Sequence, residues 1–254
     1  MIRIIFRTIG VTLLVGYLLA AGVIYGSWRQ QPRYRGIKID ITYPTSDAHF
    51  VTEASIMQLV QSKPGFRCKG LPYLDVNTLE LARYIEENNR LVRHVCCYHT
   101  PDSLLRIDVE QRDPVLRVKG EYNIKDSKGN PLRDFYIDSD GKLMPAQFGI
   151  AISLPLVTGY VNESLIIPLR DFAHYLKEDS FWRESVTQIH VRQNGDVELV
   201  PRVGDHTILL GALDNYETKL RHVRRFYDEV LPRRGWNTYR VINVKFRGQV
   251  IGEK

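Results

Sequence analysis

Hydrophobic and polar positions change period along this chain, and each change marks an element. Residues 8–26 form a run of 19 without a charge, centred on Val11–Ala21. At 1.5 Å per residue the run spans about 29 Å as a helix, which matches a hydrocarbon core of about 30 Å and predicts one transmembrane helix. Arg3 and Arg7 precede it, and Tyr25 and Trp28 stand at its far end, where aromatic rings favour the headgroup zone. The alternative is a cleaved signal peptide, with Met1–Arg7 as the basic region and Ala20-Ala21-Gly22 as small residues at cleavage offsets. Gly22 and Gly26 match a helix-dimer spacing but also suit ordinary small residues of such a helix.

After a linker at 27–35 the period drops to two. Ile37, Ile39 and Ile41 alternate with polar residues and predict a strand. Ile56, Leu59 and Val60 then share one helical face, with Pro64-Gly65 as the stop. Asn77 with Glu80 three residues on reads as a capping box before a second helix striped by Leu79, Ala82 and Ile85. Leu91–His99 and Leu104–Arg112 are strands joined at Thr100–Ser103. Strand, helix, helix, strand, strand over 36–113 gives a small α+β domain.

The remainder, 114–254, predicts a mainly antiparallel β domain with two helices. Val115–Lys119 and Tyr122–Lys125 are candidate strands around the polar turn at 126–130. Ser139-Asp140-Gly141 and Gln193-Asn194-Gly195-Asp196 are hairpin turns, and Leu154–Gly159 is a short extended piece. Pro168–Lys177 forms one helix. The other carries Tyr216, Leu220, Val223, Tyr227 and Val230, with Asp214 as its cap and Glu217 completing the box. A strand at His206–Leu210 precedes that second helix, and Tyr239–Val250 is the last strand. No fixed-period internal repeat is visible.

Composition adds limits. The chain has 254 residues, 44% hydrophobic and 25% charged, enough to build a sizeable core. The net charge of +6 suggests nucleic acid until it is located. Residues 1–33 hold four arginines and no acid, which leaves 31 bases against 29 acids in 34–254. The excess therefore lies beside the apolar run, not on a phosphate-binding surface. Lys219, Arg221, Arg224, Arg225, Arg233 and Arg234 look basic, but Asp214, Glu217, Asp228 and Glu229 offset most of them. That run reads as a solvated helix face or a lipid or partner patch.

Motifs for catalysis are missing. There is no Gly-x-Ser-x-Gly, phosphate-binding Gly-x-x-x-x-Gly-Lys, Gly-x-Gly-x-x-Gly or His-Glu-x-x-His. His94, Cys96, Cys97 and His99 have metal-ligand chemistry, but strand alternation splits them between two faces, which cannot close one tetrahedral site. Asp138-x-Asp140-Gly141 lacks the glycine position and bidentate glutamate of a calcium loop. Neither cofactor, metal nor small-molecule substrate is expected. Three cysteines leave at least one unpaired, and in an oxidising compartment Cys68 has Cys96 or Cys97 as partner.

Four passages carry a family resemblance. Leu105–Val115, reading LRIDVEQRDPV, is similar to an "I-x-V-x-E-R-x-P" joint between domains. Tyr136–Gly141 and Leu154–Gly159 resemble a "hydrophobic-D-x-x-G" hairpin and the "L-P-hydrophobic-hydrophobic-x-G" that follows it. Ile242–Val250 resembles a final strand, with Asn243 where Asp is common and Phe246 for Tyr. In this order they resemble the bacterial cell-division family FtsQ/DivIB. The resemblance implies a cytoplasmic tail (1–7), the membrane helix (8–26) in inner-membrane lipid, a POTRA-like domain (36–113) and a partner-binding β domain (114–254) in the periplasm. It implies a non-enzymatic divisome scaffold that binds FtsB- and FtsL-like proteins and regulates septal wall synthesis. The rival is another anchored POTRA-type adaptor in secretion or envelope assembly; a wall hydrolase would need converging acids or metal ligands.

The partner surface is expected on the last strand, at Asn243, Val244, Lys245, Phe246, Arg247, Gly248, Gln249 and Val250. Alternation puts Ile242, Val244 and Phe246 on one face and Asn243, Lys245 and Arg247 on the other, in solvent. As an edge strand it would offer unpaired N–H and C=O groups to a partner strand.

Overall fold

The computed structural model describes residues 2–28, 32–44, 49–66, 70–120, 124–125, 129, 131–146 and 152–254. Helix α1 spans Ile2–Trp28, and its side chains are described for 12–26. Among the described residues, no helix is long and apolar enough to cross a membrane. Gly16, Tyr17, Gly22, Tyr25 and Gly26 interrupt the apolar surface of its described residues. The expected transmembrane helix at 8–26 is corrected accordingly, and the lipid contact assigned to it loses its carrier.

The rest is α+β. The chain divides into two compact units, the first comprising Met1–Thr42, Thr52–Asn89 and His94–Val109, the second Tyr43–Val51, Arg90–Arg93 and Glu110–Lys254.

In the first unit, β1 (Gly36–Thr42) is followed by α2 (Glu53–Ser62), α3 (Thr78–Asn88), β2 (Val92–His99) and β3 (Leu104–Gln111). The sheet order is β1-β3-β2. Thr52 closes a reciprocal capping box with Ser55, and Asn77 accepts the Glu80 amide at 3.0 Å. These bonds satisfy N–H groups that a helix start leaves unpaired. Ile39, Val95, Leu105, Ile107 and Val109 are buried on the sheet, and Ile56, Val60, Leu81 and Ile85 on the helices. Each such side chain is worth about 1.5–3 kcal/mol on leaving water.

The second unit is built on one nine-stranded sheet. Its strands are β4 (Pro114–Lys119), β5 (Asp134–Asp138), β6 (Leu143–Pro145), β7 (Leu156–Gly159), β8 (Val186–Val191), β9 (Val197–Pro201), β10 (Thr207–Gly211), β11 (Val241–Asn243) and β12 (Ile251–Glu253). They lie in the order β12-β11-β10-β9-β8-β7-β4-β5-β6. Among the described residues four α-helices belong to it: α4 (Ile166–Glu178), α5 (Ser180–Ser185), α6 (Tyr216–Glu229) and α7 (Leu231–Arg234). The expected two helices are thus corrected to four, because Asp179 caps a further short helix through the Phe181 and Trp182 amides and Leu231 opens another. The sheet is mainly antiparallel, as expected, in five of its eight pairings, but β4–β7, β7–β8 and β10–β11 pair in parallel. The cause for the last two is connectivity, since a crossover through helices returns the chain in the same direction.

One motif occurs twice. In 156–201, β7 leads through α4 and α5 to a parallel β8, then to an antiparallel β9. In 207–253, β10 leads through α6 and α7 to a parallel β11, then to an antiparallel β12. The copies join where β9 pairs antiparallel with β10. Leu169, Phe172, Leu176, Leu220 and Val223 of the helices bury against Val157, Ile189, Leu199, Ile208 and Ile242 of the strands.

Turns hold the register. Buried Asp138 accepts the amides of Asp140 and Lys142 at 3.0 and 2.6 Å and the Arg112 guanidinium at 2.7 Å. Gly159, with φ +91°, passes so close to β8 that a Cβ there would lie 2.0 Å from the Val191 carbonyl oxygen. At one edge of the sheet, Pro145 of β6 sits opposite Phe135.

Candidate functional site

The expected last strand, Tyr239–Val250, is not one strand. It breaks into β11, a connection at 244–250, and β12, so residues 241–253 form a hairpin. Val241, Ile242 and Asn243 pair with Glu253, Gly252 and Ile251. The edge of the sheet is β12, and β11 is enclosed between β12 and β10. A turn causes the break: Gly248 has φ +72°, and the Gln249 amide reaches the Phe246 carbonyl at 3.3 Å.

The eight expected partner residues therefore separate by role. Val244 is buried in the core, and its amide donates to the Leu209 carbonyl at 3.0 Å. Asn243, nearly buried, accepts the Lys245 amide at 3.1 Å and donates from Nδ2 to Glu253 at 3.2 Å. Lys245 is exposed, as expected, but committed to a partner. Its ammonium pairs with Asp196 at 2.7 Å, and its stem covers Gly211, where a Cβ would lie 2.7 Å from Lys245 Cγ. Asp196 is buried and also accepts from the Asn194 side chain at 2.9 Å. The Lys245 bond holds its carboxyl below the usual range against the opposing effect of burial. Phe246 is 54% exposed, so it does not share a buried face with Ile242 and Val244. Arg247, Gly248 and Gln249 are exposed, and Val250 packs partly against the core.

The sequence reading stopped short of β12 itself. Ile251 is 41% exposed. Gly252 lies beneath the Tyr239 ring, whose Cδ1 would be 2.5 Å from a Cβ there. Tyr239 in turn meets Phe226 of α6 edge to face at 5.4 Å. The small residue thus lets an aromatic pair fasten the hairpin to the helix.

A cleft of about 380 Å³ lies beside the hairpin, lined in part by Lys219, His222, Lys245, Phe246 and Arg247. His222 and Gly248 also line a second cleft of about 330 Å³ that takes in Arg225 and Val250. Lys219 is committed to Asp214. That pairing corrects the expected cap of α6: Asp214 serves an ion pair, and Asn215, at φ +46°, is the capping position without a side-chain bond. The site therefore offers a short sheet edge, an exposed aromatic ring and cations. It has the chemistry of strand and acid recognition.

Other candidates come apart. His94 pairs with Glu86 at 3.0 Å, and His99 meets the Tyr34 hydroxyl at 3.0 Å. Burial, with Cys96 adjacent, pushes the Cys97 thiol up to about 12. Among the described residues, no group of three His, Cys, Asp or Glu side chains is placed to hold a metal ion. The pairing expected for Cys68 lies outside the described residues, as do Tyr122, Asn123 and most of the turn at 126–130.

No curated protein matches the chain. A family model described as FtsQ/DivIB, C-terminal related, matches residues 113–253, which hold the nine-stranded sheet and its terminal hairpin. That match covers more than half of the sequence, and the chain belongs to the FtsQ/DivIB C-terminal-related family.

Proposed function

We propose that this protein is a non-enzymatic scaffold of the bacterial divisome that captures an FtsB- or FtsL-type partner on β12 and thereby helps regulate septal wall synthesis. Family membership supplies the cell-division role. The observation that carries the binding site is the position of β12 at the end of the strand order, with one side unpaired among the described residues. The internal duplication adds a direction. In the first copy, β9 receives β10 antiparallel, and β12 occupies the place of β9 in the second. A partner strand would extend the sheet there antiparallel to β12, with main-chain bonds for affinity. Phe246 and Arg247 would select its side chains, and Arg247 favours an acidic one. The first unit has the strand and helix order of a POTRA domain, and the expected place of action is the periplasm.

The test is capture of the organism's own FtsB-like protein by the full chain. Removal of residues 251–254 should abolish capture, and Arg247→Glu should weaken it about tenfold or less at a wet rim. Unchanged capture after removal of β12 places the partner elsewhere. A reporter active only in the cytoplasm should be silent when fused after Lys254, and its activity there would refute the periplasmic placement.

A further inference from the structure

A second feature of the second unit lies apart from the hairpin turn. His206, just before β10, is 2% exposed. Its Nε2 lies 2.6 Å from the Tyr227 hydroxyl of α6, and the two rings meet edge to face. Its Nδ1 is buried without a hydrogen-bond partner. The backbone closes over that nitrogen: at Gly204, φ +91°, a Cβ would lie 2.7 Å from His206 Nδ1. Trp236, from the connection between α7 and β11, covers Tyr227 at 5.4 Å and is itself 40% exposed. Val203, in the same loop as Gly204, is 61% exposed. The ring is thus sealed by two surface segments, 202–206 and 235–240, over a rigid strand.

A neutral imidazole needs only one partner to hold its place here, because one nitrogen donates and the other accepts. A protonated ring has two N–H donors and no acceptor to offer. The Tyr227 oxygen can take one. The other would face the closed backbone at Gly204, and a charged donor left unpaired in a dry site is costly.

We propose that His206, Tyr227 and Trp236 form an acid-sensitive latch. When His206 is neutral, segments 202–206 and 235–240 stay closed on α6; when it is protonated, they open to let water reach Nδ1, while the sheet beneath remains paired.

The surrounding charges agree with this direction. Burial pushes the His206 imidazole below its ordinary value, and Asp205, in the same loop, partly opposes the shift. From α6 the titratable group in contact is Tyr227, which burial keeps neutral. Arg224 and Asp228 on that helix pair with each other at 3.1 Å. From α5 the neighbours of Tyr227 are the uncharged Phe181 and Trp182. Arg202 donates to the Glu184 carbonyl at 3.0 Å, and Arg233 and Arg234 of α7 are exposed. Among the described residues, Asp205 is the charged group that acts on the ring.

The sign follows from linkage. A base with a lowered native value stabilises the closed form fully above the free value near 6.5, and this contribution is lost as pH falls below it. Hydrogen exchange on the full chain at pH 7.5 and pH 5.0, corrected for intrinsic rates, reads the latch directly. Peptides covering 202–206 and 235–240 should exchange about tenfold faster at the lower pH, with β8, β9 and α4 unchanged. His206→Phe fills the same slot without a proton and should remove the difference. Should that variant not fold, His206→Gln, uncharged at both pH values, serves instead. The latch is refuted if α4 and β8 loosen together with the two segments, if the variant that folds keeps the pH difference, or if His206 titrates at about 6.5 by NMR.

Discussion

At Gly159 the backbone of β7 comes within a side chain's width of β8. An alanine there meets the Val191 oxygen and must also adopt a left-handed φ. The two penalties together should cost about 3 kcal/mol, measured as a lower urea midpoint with an unchanged slope. Lys245 makes a second residue-scale case. In an alternating strand it faces solvent, and its charge reversal is harmless to folding. In the structure it neutralises buried Asp196, so Lys245→Glu should destabilise the second unit, whereas Arg247→Glu should leave its thermal midpoint unchanged. The same pair sets a pH dependence. The Asp196 carboxyl is held below its free value, so its contribution is present above about pH 4 and lost as pH falls through the lowered native value. Replacement by Asn should flatten the acid limb of a stability-against-pH curve; an unchanged limb would assign it to other carboxylates.

At the scale of elements, what was readable followed local chemistry. The Ser139–Gly141 and Asn194–Gly195 turns, the stripe of Leu220, Val223 and Tyr227, and the strand and helix order of 36–113 all rest on contacts between near neighbours in sequence. Pairing direction does not. Nothing within Leu156–Gly159 says that β8 will flank it in parallel, because that depends on where α4 and α5 return the chain. The duplication was hidden for the same reason: its copies share connectivity, while their strands and helices differ in length. The candidate site was half legible. An apolar and polar alternation from Tyr239 to Val250 looks like one strand, and the turn at Gly248 became visible only with its φ. Gly252 is the element's own test. Gly252→Ala should push Tyr239 off the hairpin, and hydrogen exchange of 251–253 should rise, while β8 and β9 keep their protection.

At the scale of the whole second unit, the two ends of the sheet are unlike. Antiparallel addition is available along β12. At the far end, β6 is three residues long and finishes in Pro145, which has no N–H to donate. The difference determines arithmetic. A sheet open at both ends can add copies of itself head to tail without limit, since a contact between unlike surfaces that does not close into a ring grows into a fibre. With a proline at one terminus, a molecule that took up a partner strand along β12 would be a chain stopper and pass nothing on. Binding at β12 should therefore saturate at one partner strand per chain, which isothermal titration can count. Pro145→Val restores the missing donor and should bring concentration-dependent growth in sedimentation velocity, and growth that vanishes when residues 251–254 are removed would show that the two ends had met.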